Sequence, residues 1–227
     1  GMPSKYLTKQ YVAGGYYHIY NRGIEKRIIF EDGQDYSVFL AYIKTYLSPK
    51  DTNKLWNRLD KPGISLKEKA EVARLLRLNN FSEEITLLAY CLMPNHFHFL
   101  IKQNNSQSID NFMNSLATGY TMYFNRKYDR VGPLYQDAYK AVLVDREEYF
   151  LHLSRYIHSQ AITLQGTALE GQLSSYPDYL GLRKTGWVHA EKILSYFSKA
   201  NPRLSYQNFV EQNGNFEIIK NLVIEEI

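Results

Sequence analysis

The spacing of hydrophobic residues changes several times along the chain, and each change predicts an element. Tyr16 to Asn21 follows Gly14-Gly15 as an aromatic and β-branched run. It predicts a first strand that ends at Asn21-Arg22-Gly23. Apolar residues at Tyr36, Phe39, Leu40, Ile43 and Leu47 recur at three and four. They predict an amphipathic helix over Asp35 to Leu47, stopped by Ser48-Pro49. Residues 50–80 are richer in Lys, Arg and Glu and predict an insertion. Its one expected helix runs from Ser65 to Leu78, with Ser65 and Glu68 at capping-box spacing. Ile85 to Gln103 is two apolar strands broken by a Met93-Pro94-Asn95 turn. Ile109, Phe112, Met113, Leu116, Tyr120 and Tyr123 predict a helix over Ser106 to Tyr128. Tyr139 to Val144 predicts a short strand, and Arg146 to Gln160 a helix with Asp145 at its N-cap. Ser174 to Tyr179 is expected to be irregular, and helices are expected within Trp187 to Phe197 and Tyr206 to Ile227.

With the insertion set aside, the order is βαββαβ plus a further helix. That is the order of the ferredoxin-like split arrangement. The fold class expected is therefore α+β: an RRM-like four-stranded antiparallel sheet with helices on one face, a helical insertion and a C-terminal helical extension. The expected division is 10–182 for the main domain and 183–227 for the extension.

Composition narrows the function classes. At 227 residues, 44% hydrophobic and 15% aromatic, the chain can bury a substantial core. Its 20 tyrosines suit packing with wet edges and surfaces that stack on bases. The net charge of +4 is compatible with nucleic acid without demanding it. Cys91 is the only cysteine, so no intrachain disulfide is expected and a reducing compartment fits. No signal-peptide pattern and no apolar run of about 18 residues is seen, so no membrane partner and a cytoplasmic location are expected. No P-loop or dinucleotide glycine motif is present.

The chemistry centres on His96-Phe97-His98. Side chains alternate along a strand, so the two imidazoles share one face and Phe97 takes the other. Such a pair can hold one divalent ion or one phosphate, or can be two ordinary hydrogen-bonded histidines. On the later helix, His152, Tyr156 and Gln160 stand at i, i+4 and i+8 and form one polar stripe. Polar stripes are usually solvated faces, but phenol, imidazole and carboxamide are unusual choices for that purpose.

Leu92 to Leu100, LMPNHFHFL, resembles the signature of the IS200-like single-tyrosine transposases of the HUH endonuclease superfamily. The REP-associated tyrosine transposases are the branch it resembles most. Tyr17 to Gly23, Tyr123 to Lys127, Gly132 to Gln136, Arg155 to His158 and Ser174 to Gly181 match further motifs of that branch in order, over about residues 10 to 182. The resemblance implies that His96 and His98 bind a metal, that Tyr156 is the nucleophile and that Gln160 supplies a third ligand. The branch usually has Asn-Pro where this chain has Gln160-Ala161. Tyr120, Tyr123 and Tyr149 are rival tyrosines without a matching motif.

The implied activity is cutting and rejoining single-stranded or hairpin DNA through a 5′-phosphotyrosine. The implied cofactor is one Mg²⁺ or Mn²⁺. Arg22, Arg126, Lys127 and Arg130 are candidate phosphate contacts. Association with the nucleoid is implied, and a homodimer is an alternative to a monomer. A non-catalytic RRM-like binding protein and a phosphodiesterase that activates water are the competing readings.

Overall fold

The structure, a computed structural model, describes residues 11–162 and 173–212. Four strands, β1 (Tyr16–Arg22), β2 (Ile85–Met93), β3 (His96–Gln103) and β4 (Lys140–Leu143), form one sheet in the order β2-β3-β1-β4. All three neighbouring pairs are antiparallel. This is the order that the predicted βαββαβ succession produces. Helix α1 (Gly33–Leu47) follows β1. Asp32 caps it by accepting from the Asp35 N–H at 3.1 Å.

The insertion is a hairpin of two helices, α2 (Thr52–Leu59) and α3 (Leu66–Arg77), and Val72 is the only buried residue in either. Ser65 accepts from the Glu68 N–H at 3.1 Å, as its spacing predicts. Helix α2 was not predicted; it is short, and its apolar side is only Leu55, Trp56 and Leu59. Its start is set by Asp51, whose carboxylate accepts from the Lys54 N–H at 2.9 Å.

The two faces of the sheet are built differently. Phe97 and Phe99 of β3 meet Phe39 of α1, with ring centroids 5.6 and 6.3 Å apart. Helix α4 (Ser108–Lys127) completes this layer, and its Tyr120 stands edge-on to Phe39 at 5.0 Å. All these rings are buried, and removing one would cost about 3–5 kcal/mol. The opposite face carries His96 and His98 and receives the further helix, α5 (Glu147–Ile162). Helix α5 is buried on nearly all sides, because elements from the C-terminal part pack behind it.

Those elements are α6 (Tyr176–Leu180), α7 (Glu191–Leu194) and α8 (Pro202–Glu211). Residues 173–175 run along the outer edge of β2: Leu92 N–H donates to Leu173 O at 2.7 Å, and Ser175 N–H to Tyr90 O at 3.1 Å. The segment expected to be irregular thus becomes a strand cover followed by α6, which Gly181 ends in a left-handed conformation (φ 76°). The helix expected within Trp187 to Phe197 is the short α7. Trp187 stacks on Tyr90 at 5.7 Å and His189 N–H donates to Leu87 O at 2.9 Å, so contacts with the sheet edge limit its extent. Helix α8 begins earlier than expected, at Pro202 behind an Asn201 cap. The rest of the helix expected to reach Ile227 lies outside the described residues. Among the described residues no helix is long and apolar enough to cross a membrane.

Candidate active site

The start of β3 is fixed by the loop that follows β1. Gly23 N–H donates to Asn95 O at 2.9 Å, and the Ile29 and Phe30 N–H groups donate to Pro94 O at 2.8 and 3.1 Å. A Cβ on Gly23 would lie 2.3 Å from Arg27 O, so a side chain there would force the loop open. Glu25 and Lys26 both adopt left-handed backbone (φ 54° and 60°), a conformation that costs non-glycine residues energy. The bend brings Lys26 O within 3.4 Å of the Asn95 amide nitrogen. The amide oxygen of Asn95 then lies 2.6 Å from His96 Nδ1. That oxygen can only accept, so His96 carries a proton on Nδ1, and in the neutral ring Nε2 is the basic nitrogen.

The β1–β3 register places Arg22 opposite His96 and Tyr20 opposite His98, on one face. His96 and His98 have ring centroids 5.1 Å apart. His18, two residues before Tyr20, reaches the same cluster. Its Nε2 is 2.9 Å from His98 Nδ1, with the two rings nearly coplanar, edge to edge, and their centroids 5.1 Å apart. Both residues are buried, with exposures of 0% and 1%. Tyr20 stacks on His18 at 4.7 Å and lies 5.9 Å from His98. Lys140 of β4 is opposite Tyr20 and exposed, adding a cation to this face.

Tyr156 arrives from α5 of the same chain. Its ring stands edge-on to His98 at 5.5 Å and to His18 at 6.4 Å. Behind α5, Tyr206 of α8 fixes the helix: its hydroxyl is 2.6 Å from His158 Nδ1 and donates to Ser154 Oγ at 3.2 Å. His158 Nε2 meets Ser175 Oγ at 2.8 Å. Burial holds the His158 pKa down to about 3, so this ring is neutral and joins elements together. Gln160 lies one turn beyond Tyr156, partly buried. His152, at the other end of the stripe, sits edge-on to Phe209 at 5.6 Å, and burial, then Arg155, lowers its pKa.

The structure thus brings His96, His98, Tyr156 and Arg22 to one face. Arg22 also donates to Gln136 Oε1 at 2.6 Å. The other three candidate cations lie at or just past the end of α4, in the layer over the opposite face. Lys127 lies 2.7 Å from Asp32 and 2.8 Å from Asp35, and those partners raise its pKa against the effect of burial. Arg130 bonds Asn125 Oδ1 at 2.6 Å and lies over Phe124, while Arg126 is exposed. Two rival tyrosines are also on α4. Tyr120 donates to Ile29 O at 2.5 Å, and Tyr123 donates to Asp35 at 2.9 Å. Burial, then Asp35, pushes the Tyr123 pKa up to about 12. Tyr149 lies under the Arg146 guanidinium at 5.2 Å.

Sequence reasoning missed His18, Tyr20 and Lys140. The signal was strand phase: His18, Tyr20 and Arg22 alternate together, but only the pairing with β3 gives that phase a meaning. The donor set of two neutral imidazoles, with a carboxamide on the facing helix, fits a divalent ion whose charge must remain available to a phosphate. Among the described residues no three His, Cys, Asp or Glu side chains are placed to hold one metal ion together.

Residues 61–160 match the family model described as "Transposase IS200 like". No curated protein matches the chain. Among solved structures, a REP-associated tyrosine transposase bound to a REP hairpin is similar at 11% identity and a TM-score of 0.45, covering 82% of this chain and 92% of that one. A protein assigned as a transposase from Deinococcus radiodurans R1 is similar at 13% identity and a TM-score of 0.35, covering 70% and 98%. The family match includes the histidine pair and the helix of Tyr156. Over that segment, somewhat under half of the chain, the sequence is similar to IS200-like transposases.

Proposed function

We propose that the protein cuts and rejoins single-stranded DNA through covalent attachment to Tyr156. The observation that carries this reading is the approach of Tyr156 to His98 at 5.5 Å within one chain. The Tyr156 oxygen attacks the scissile phosphorus, and the bond to the 3′-oxygen breaks. The phenol gives up its proton and the departing 3′-oxygen takes one up. One product then carries a 5′-phosphotyrosine and the other a 3′-hydroxyl. A 3′-hydroxyl reverses the step, so the bond energy is conserved and no nucleotide is consumed.

His96, His98 and Gln160 are the residues that would hold a divalent ion, Mg²⁺ or Mn²⁺. When bound, it supplies Lewis-acid relief of charge at the phosphate and favours the phenolate. Imidazole ligands tilt the preference towards Mn²⁺. Asn95 orients His96 for this task, and Arg22 on the same face offers a bidentate phosphate contact. Hairpin or single-stranded DNA is the substrate class that the sequence motifs imply. Residues 10–182 form the catalytic unit on this reading, and the extension supports α5 from behind.

The test is a denaturing gel of labelled single-stranded DNA incubated with protein and Mn²⁺. A band retarded by covalently attached protein is expected, and it is lost in Tyr156→Phe. The same adduct at normal yield in Tyr156→Phe would overturn the assignment. Cleaved product without adduct favours attack by water, and binding without cleavage favours the RRM-like alternative.

A further inference from the structure

We infer that His18 is a positioning residue that fixes which nitrogen of His98 faces the reaction. This inference rests on the metal-binding reading of His98. The two rings are 2.9 Å apart at His18 Nε2 and His98 Nδ1, and both are buried. One proton lies between those nitrogens. It can belong to His98 Nδ1, which leaves His98 Nε2 basic, or to His18 Nε2, which places the His98 proton on Nε2. Only the first arrangement allows His98 to bind a cation through Nε2 without losing the bond to His18.

The neighbouring ligand shows the same logic with the ambiguity removed. His96 Nδ1 faces an amide oxygen that cannot donate, so Asn95 sets the proton on Nδ1. For the two histidines to present equivalent nitrogens, His18 must act towards His98 as Asn95 acts towards His96, as an acceptor. His18 then carries its own proton on Nδ1. Tyr20 stacks on His18 at 4.7 Å while also lying 5.9 Å from His98, and Tyr156 closes the cluster edge-on, so His18 is held from more than one direction. A partner that orients a metal-binding histidine typically changes affinity by roughly 10- to 100-fold.

The primary test reads the tautomer directly. A long-range ¹H–¹⁵N correlation spectrum of the metal-free protein at neutral pH should show His98 protonated on Nδ1 with Nε2 bare. A His98 protonated on Nε2, or an even mixture, would overturn the inference. The second test measures Mn²⁺ binding by the electron paramagnetic resonance of the free ion. His18→Phe keeps a ring but no acceptor, and should weaken Mn²⁺ binding roughly 10- to 100-fold. His18→Gln keeps an acceptor and should stay within about threefold of the parent. Parent-like Mn²⁺ affinity in a folded His18→Phe would also overturn the inference. If His18→Phe fails to fold, the spectrum of the parent still decides. The metal-binding reading itself fails separately, if His96→Ala with His98→Ala leaves Mn²⁺ binding unchanged.

Discussion

Helix α5 has a buried histidine on each side, and the two serve different ends. Towards α6 and α8, His158 has a hydroxyl at each ring nitrogen, from Tyr206 and Ser175. The single proton of Tyr206 goes to Ser154 Oγ, so His158 donates from Nδ1 and can accept from the Ser175 hydroxyl at Nε2, and hydroxyl partners satisfy both nitrogens. Towards the sheet, His98 meets another imidazole at Nδ1 and the ring of Tyr156 at its edge. An imidazole cannot rotate its donor into an acceptor without moving a proton through the ring. Burial is therefore a poor guide to role, since both histidines are inaccessible. The chemistry of the partners separates a structural joint from a poised site.

Exchanging the two roles should give the largest effect. His98→Ala is expected to slow adduct formation by about 100-fold or more, measured as covalent product per folded molecule. His158→Gln should leave that rate within about threefold and instead lower stability by about 1–3 kcal/mol in urea. A His158 variant with normal stability and lost adduct would reverse the assignment.

The next effect is in pH. The folded pKa of His158 is about 3, below the usual histidine value of about 6.5, so the unfolded chain takes up a proton that the folded protein refuses. This contribution to stability is fully present above about pH 6.5. It is lost as pH falls towards about 3, with a slope near 1.4 kcal/mol per pH unit. Urea midpoints between pH 4 and 6.5 should show that slope in the parent and a shallower one in His158→Gln. Equal slopes would assign the acid sensitivity to other groups.

The smallest effect separates the two faces of the sheet. Arg22→Gln should reduce the salt dependence of single-stranded DNA binding by about 0.7 to 1 in log–log slope. Lys127→Gln should leave the slope alone and weaken the fold, because it strips a partner from the buried Asp35 carboxylate. Fluorescence anisotropy across a salt series reads both, and equal slopes in the two variants would erase the distinction.

Local pattern carried much of this. Alternation in YYHIYNR and HFHFLIKQ, and the three-and-four spacing of α1 and α4, are properties of neighbouring residues. The turn before His96 and the stripe of α5 were legible for the same reason. The part of His18 was not, because its partner is 80 residues away and their meeting depends on strand order. The cations at the end of α4 looked alike in sequence, yet Lys127 is committed to Asp32 and Asp35. Acidic partners 95 and 92 residues distant leave no local trace. A helix within Trp187 to Phe197 was legible, but its short extent was not, because Trp187 and His189 are tied to β2 by long-range contacts.

The placement of Tyr156 and His98 on one polypeptide bears on mass action. If the proposed groups act as they lie, the nucleophile meets its site without an encounter between copies. Adduct formed per mole of protein should then be independent of dilution, and an inactive Tyr156→Phe chain added in excess should neither rescue nor poison a His98→Ala chain.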